Sequence, residues 1–290
     1  MSRPKPLTAA ELKRHPLPPV ESGDKDSNGR ILVIAGSRDV PGSALLAAHG
    51  AMRAGAGKLQ LAAPDDIAVQ LGIAMPEAMV VGFATARDGG FSRRAVAPMV
   101  EQARRADAIV AGPGLAANAS GARLAGALCE LGKPLALDAA LLHALPKRAK
   151  DARAARIAPI LLPHSGEMAS LLGCEPEDVE ADPIASGRAC ADRYDALVLV
   201  KGAVSHVVTP NGASWRFQGG GPGLGISGSG DVLAGIVGGL LARGTSPLTA
   251  LLWAVWLHGE AGRILSTKVG TRGFLAREIA GEIPALLDRA

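Results

Sequence analysis

Two hydrophobic rhythms alternate along the chain. Short runs that are apolar at nearly every position, "ILVIAG", "KLQLAAP", "DAIVAG", "PLALD", "APILLP" and "ALVLVKG", are separated by Ala/Leu-rich stretches with helical spacing, Ser43 to Ala54, Asp66 to Leu71, Ala119 to Leu131 and Gly166 to Leu172. A strand apolar on both alternating sets of positions is covered on both faces, as in a parallel sheet between helices. After Lys201 the pattern changes to "SHVVTP" and "ASWRFQ" around Asn211-Gly212, a hairpin signal that predicts an antiparallel edge. From Gly230 onward the pattern is mostly helical, and no repeat of fixed period is present. The whole predicts one three-layer α/β/α domain over residues 29–290, with a mostly parallel central sheet. Residues 1–28, Pro-rich and ending in the polar "ESGDKDSNG", read as an N-terminal arm outside that core.

Composition narrows the class. With 290 residues, 48% of them hydrophobic, the chain can bury a substantial core. The net charge of +4 comes from scattered Lys and Arg, and three Trp, one Tyr and four Phe give little to stack on bases, so nucleic acid is not the expected partner. No apolar run reaches the roughly 18 residues of a membrane span, and "MSRPKPLTAAELKRHP" lacks the apolar core of a signal peptide, which predicts a cytoplasmic protein without membrane attachment. Cys129, Cys174 and Cys190 fit neither a disulfide framework nor a zinc site and read as packing residues.

In sheets of this kind ligands sit beyond the carboxyl ends of the strands. The segments "AGSRDVPGS", "AGPGL", "DAA", "PHSGE" and "KGA" all fall at such ends. The richest glycine segment, "GGGPGLGISGSGD" from Gly219 to Asp231, leads into a helix. Bare backbone lets N–H groups converge there, and the free amides and positive dipole end of the helix add to them, which makes an anion site suited to phosphate. "GLGISG" matches GxGxxG formally, but no second strand with an acid follows, so a Rossmann site is excluded; Asp231 after Gly230 also excludes a Walker A loop. Asp231 is either a stabilising first-turn acid or a general base for a hydroxyl attacking phosphorus, and phosphoryl transfer is the chemistry the segment suggests.

The "GSGD" loop opening a helix resembles the anion-hole signature of ribokinase-like kinases. Taken with "GRILVIAGSRDVPGSALLAAHGAMRAGAGKLQLAAP", "AIVAGPGL", "PLALDAALL", "ILLPHSGEMASLLG", "LVLVKG" and "AVWLHGEAG", in this order, the chain is similar to the NAD(P)H-hydrate dehydratase family from Gly29 to Gly262. The resemblance implies a ribokinase-like fold without a lid, and repair of hydrated NADH or NADPH driven by ADP or ATP with Mg²⁺. It implies that Asp231 deprotonates the ring hydroxyl, which attacks the terminal phosphate, while the backbone N–H groups of Gly228, Ser229 and Gly230 stabilise the transferring phosphoryl. It further implies a homo-oligomer, commonly a tetramer.

Carried over residue by residue, the resemblance places Ala44, Gly114, His164 and Asp231 on the hydrate, and Lys201, Gly202, Ala203, Val204, Ser205 and Gly230 on the nucleotide. Glu167 either reaches metal or phosphate through water or favours a helix N-terminus. Ala44 reads equally as a small first-turn residue, His164 as a structural histidine, and Asn118 as a helix cap. His49, His206 and His258 read as structural, and Trp253 and Trp256 as core or a subunit contact. The chain departs from the family pattern at Ala140, Leu162, Ser165 and Ile226, which touches the metal arrangement and the donor preference but leaves base and anion hole in place. Two other readings share the glycine loop: a small-molecule kinase of the same fold, such as one acting on a hydroxyethylthiazole-type alcohol, and a nucleotide-binding protein without catalysis.

Overall fold

The computed structural model describes residues 3–19 and 27–289. Ten strands form one sheet: β1 (Lys5–Pro6), β2 (Arg30–Ile34), β3 (Lys58–Pro64), β4 (Ala78–Phe83), β5 (Ala108–Ala111), β6 (Leu135–Leu137), β7 (Ile160–Leu161), β8 (Leu197–Val200), β9 (Ser205–Val208) and β10 (Ser214–Phe217). Their order is β1-β10-β9-β8-β7-β6-β5-β2-β3-β4. Only β9 runs against its neighbours, so the predicted hairpin is the antiparallel element of an otherwise parallel sheet.

The helices are α1 (Ala9–Leu12), α2 (Gly42–Arg53), α3 (Asp65–Ala74), α4 (Val96–Arg104), α5 (Ala119–Cys129), α6 (Ala140–Ala144), α7 (Ala149–Arg153), α8 (Ser165–Leu172), α9 (Pro176–Ala181), α10 (Pro183–Tyr194), α11 (Ser229–Ala242), α12 (Pro247–Lys268) and α13 (Ala276–Leu287). They divide between the two faces. Ile31 and Val33 of β2 point into a core shared with α2, α11, α12 and α13, while Leu32 and Ile34 point into the core of α4 through α10. Each of these four side chains has no exposed surface, which is the physical reason β2 is apolar at every position.

The glycines of α11 serve packing as well as turns. A Cβ on Gly235 would stand 2.1 Å from Ala47 O, and one on Gly50 would stand 2.4 Å from Val232 O. Helices α2 and α11 therefore approach at backbone contact, and their amino ends are held side by side.

The segment read as an arm is not free of the core. Lys5–Pro6 pairs in parallel with Trp215–Arg216, and Leu7 and Leu12 are buried in the α2/α11/α12 core. Trp215 Nε1 donates to Glu11 Oε1 at 2.9 Å and Trp253 Nε1 donates to the His15 carbonyl at 2.7 Å. Two apolar anchors and two indole hydrogen bonds suffice to dock a stretch whose average composition is polar. Trp253 is 5% exposed and packs edge-on to Trp256.

Strand β4 was absent from the sequence reading. It lies at the sheet edge, is half-exposed along most of its length, and so lacks the continuous apolar run of the inner strands.

Candidate active site

The carboxyl ends of β2, β5, β6, β7 and β8 open on the same rim of the sheet, and α11 starts above them. Gly228 caps α11 with φ 87°, a left-handed turn that a side chain would strain. The backbone then enters the helix at Ser229, leaving its first amides without intrahelical partners. Asp231 is in this first turn.

A cavity of about 870 Å³ lies against this turn, lined among others by His164, Lys201, Gly202, Ser229, Gly230 and His258. Ala203 and Ser205 line it as well, so four of the five residues from Lys201 to Ser205 face it, Val204 being the exception. Such a volume suits a nucleotide-sized ligand. Its other wall, formed by Phe217, the 219–226 loop, Leu233 and Val255, is largely apolar.

Asp231, Ala44 and Gly114 belong to the neighbouring side of the rim. The Ser43 hydroxyl of α2 stands near the Asp231 carboxylate and favours its charged form. Gly114 in turn presses on Ser43, where a Cβ would come within 2.4 Å of the serine Cβ. Ala44 is buried beside them. Burial lifts the Asp231 carboxyl to about 6, against the pull of the Ser43 hydroxyl and Lys201. A carboxyl poised there is available as a base near neutrality.

Between the two sides stands a charged group supplied by the ends of β6 and β8 and the first turn of α8. Lys201 Nζ is 2.8 Å from Asp138 Oδ1 and 3.6 Å from Glu167 Oε2. Both carboxylate side chains are nearly buried, at 3% and 6% exposure. Burial raises the Asp138 carboxyl while Lys201 lowers it; burial lowers Lys201, but the two carboxylates overcome this and hold the ammonium above its ordinary value. Ala139 follows Asp138 with φ 49° and ψ −123°, a strained conformation for a residue with a side chain. The lysine reaches under the helix start, since a Cβ on Gly230 would lie 3.5 Å from Nζ.

His164 is the N-cap of α8. Its Nδ1 accepts from the amides of Gly166 and Glu167 at 3.0 and 3.3 Å, and Glu167 Oε2 accepts from the His164 amide at 2.9 Å. Glu167 thus caps α8, the helix N-terminal role, and also faces Lys201. Asn118 caps α5, its side chain accepting from the Ser120 amide at 2.9 Å. His206 is buried and His49 half-buried. Burial pushes the Cys129 and Cys190 thiols up to about 12, which suits packing residues.

Three members of the site escaped the sequence reading. Ser43 precedes Ala44 and was passed over because nothing local marks a serine as a partner of Asp231. Asp138 follows β6 directly, and nothing local in the sequence announces its pairing with Lys201, 63 residues on. His258 was read as packing, yet its ring reaches Ser229. Among the described residues no group of three or more His, Cys, Asp and Glu side chains could hold a metal by itself, and no helix is long and apolar enough to cross a membrane.

Comparison with known proteins adds four findings. Residues 31–285 match the family model described as NAD(P)H-hydrate dehydratase. The chain is 45% identical, over 99% of its length and 97% of the other protein, to the ADP-dependent (S)-NAD(P)H-hydrate dehydratase of Xanthomonas campestris pv. campestris. It is 33% identical to the bifunctional NAD(P)H-hydrate repair enzyme of Moorella thermoacetica, covering 97% of this chain and 53% of that one, so it spans about half of the bifunctional protein. In structure it superposes with TM-score 0.83 and 26% identity on the Bacillus subtilis ADP/ATP-dependent NAD(P)H-hydrate dehydratase co-crystallised with ATP/Mg²⁺, over 100% of this chain and 99% of the other.

Proposed function

The chain belongs to the NAD(P)H-hydrate dehydratase family, and from that premise we infer that it restores hydrated NADH and NADPH at the expense of ADP, with Asp231 as the base. One observation carries the reading: a carboxyl lifted to about 6 stands in the first turn of α11, beside the amino end of the helix and a nucleotide-sized cavity.

The chemistry follows from the substrate. The hydrate bears a hydroxyl on the carbon next to the ring nitrogen, and hydroxide is a poor leaving group. Asp231 takes the hydroxyl proton, the oxygen attacks the terminal phosphorus of ADP, and AMP departs. In this reading the amides of Gly228 and Gly230 offset charge on the transferring group, joined by that of Ser229 when it gives up its 3.3 Å bond to the Ile226 carbonyl. The ring nitrogen lone pair then expels phosphate, and loss of a proton from the adjacent ring carbon restores the double bond of the reduced nicotinamide. In this reading Lys201 to Ser205 hold the nucleotide, while Ala44 and Gly114 shape the hydrate side and His164 borders both.

Magnesium is assigned to the nucleotide phosphates. The nearby protein groups, Glu167 and Asp138, are hard oxygen donors already tied to Lys201, which fits an ion held mainly by phosphate and water with at most one or two carboxylates. When bound, it neutralises phosphate charge. The remaining assignments are a single catalytic domain over residues 29–290 preceded by an N-terminal arm over residues 1–28, of which Lys5–Pro6, Leu7 and Leu12 dock on it, a cytoplasmic setting suited to a nicotinamide-cofactor repair enzyme, and a homotetramer.

The test follows the near-ultraviolet absorbance of the reduced nicotinamide after hydrated NADH or NADPH meets the protein with Mg²⁺ and ADP or ATP. Recovery that depends on nucleotide supports the reading. A stable phosphorylated product from an alcohol, with no recovery of cofactor, would favour the small-molecule kinase instead.

A further inference from the structure

His258 of α12 and Ser229 of α11 meet in the wall of the cavity. The ring Nε2 lies 3.0 Å from Ser229 Oγ and 3.1 Å from Ser229 O. A backbone carbonyl can only accept, so Nε2 must carry hydrogen to be favourable at that distance. Its N–H is then shared between two oxygens of the same residue, and the hydroxyl oxygen is engaged as an acceptor. The hydroxyl hydrogen is left over.

Ser229 is 5% exposed, and among the described residues its hydroxyl has no other hydrogen-bonding partner. A buried O–H with its oxygen fixed and its hydrogen unpaired needs an acceptor. The residue lines the cavity together with Gly230 and His258, where an anion would lie at the helix start. Burial also holds the His258 ring at about 4, so it is neutral near pH 7 and carries one proton, the one placed on Nε2.

We propose that Ser229 acts through its side chain, donating its hydroxyl hydrogen to an oxygen of the nucleotide phosphate, and that His258 is the positioning residue that turns the hydroxyl toward it. This rests on the nucleotide reading above. It adds a side-chain donor to the backbone amides already assigned to the anion hole, and it fixes the tautomer of His258. The hydroxyl bond strengthens as charge gathers on the transferring phosphoryl, so its loss lowers kcat more than it raises the KM for ADP.

The experiment combines ¹⁵N spectra of the imidazoles with four variants. In the native protein His258 shows Nε2 protonated and Nδ1 bare at pH 7. Ser229→Ala lowers kcat by about ten- to a hundredfold, the range for a hydrogen bond to a charged group. His258→Gln keeps an amide N–H in reach of Ser229 and retains most activity, whereas His258→Leu loses about as much as Ser229→Ala. The double variant Ser229→Ala/His258→Leu is no slower than Ser229→Ala, because the histidine works through the serine.

A proton on Nδ1, an unchanged kcat in Ser229→Ala, or additive losses in the double variant each overturn the proposal. Should His258→Leu fail to fold, Ser229→Ala, His258→Gln and the native spectrum decide it. If native protein restores no cofactor, the function reading fails separately; titration of ADP into native protein and Ser229→Ala then tests the phosphate contact, with equal affinities overturning it.

Discussion

Lys201 and Asp138 form an ion pair of 2.8 Å beneath the first turn of α11, joining the end of β8 to the end of β6. Replacing Asp138 by Asn leaves the ammonium with only Glu167 in a poorly solvated place. The expected loss of stability is about 3 kcal/mol, the lower end for breaking a buried pair. Urea denaturation measures it, and a parallel ADP titration should show weaker binding as Lys201 leaves its position.

With Asp231 as the proposed base, its carboxyl should set the acid limb of activity. A base must be ionised, so kcat/KM should fall as pH drops through about 6 and level off above it. Asp231→Asn removes the base and should cost roughly 10²–10⁴ in rate. A profile flat from pH 5 to 8, at roughly the pH values bracketing that limb, would assign the base elsewhere.

The same shift makes Asp231 a cost to folding at neutral pH. Its folded value of about 6 lies above the ordinary 3.8, so the folded chain binds the proton more tightly. That contribution favours folding below the unfolded value and is lost as pH rises through about 6. Asp231→Asn should therefore raise Tm above this pH while activity disappears, and the gain should vanish in acid. Calorimetry across the pH range tests both signs.

Two glycine-to-alanine changes should move stability in opposite directions. Gly235→Ala drives a Cβ to 2.1 Å from Ala47 O and should destabilise by about 1–3 kcal/mol or more as α2 and α11 are forced apart. Gly281 of α13 has open space around its position and is exposed, so Gly281→Ala should stabilise by about 0.5–1 kcal/mol through helix propensity. Denaturant midpoints compared side by side measure the pair.

Leu12 tests the docked N-terminal segment. It is 1% exposed, and Leu12→Ala should cost about 2–5 kcal/mol. An arm outside the core would tolerate the change within about 0.5 kcal/mol. Near-ultraviolet circular dichroism would follow Trp215, whose indole bonds Glu11.

Much of the fold was legible because parallel strands buried on both faces leave little freedom of composition. Ile31 through Ile34, Ala108 through Ala111 and Leu197 through Val200 had to be apolar throughout, and the loops after them open on the rim where sheets of this kind bind ligands. What was hidden depended on partners far along the chain. Lys201 looks like a solvated lysine until Asp138 is brought beneath it. Ser43 becomes a neighbour of Asp231 only when glycines allow α2 and α11 to touch. Lys5–Pro6 is too short to show any period, and its strand character comes wholly from the edge offered by β10.

That edge pairing also orders events during folding. Every other strand lies between β1 and β10 in the chain, so the β1 ladder closes a loop that encloses the rest of the sheet. Its contacts are among the least local in the molecule, and contacts of that kind form late. Until β10 and α12 are both in place the stretch that carries Leu7 and Leu12 has nothing to dock on, and the outer rim of the nascent sheet stands open to other chains. The segment at the start of the chain thus acts as the final seal on the structure.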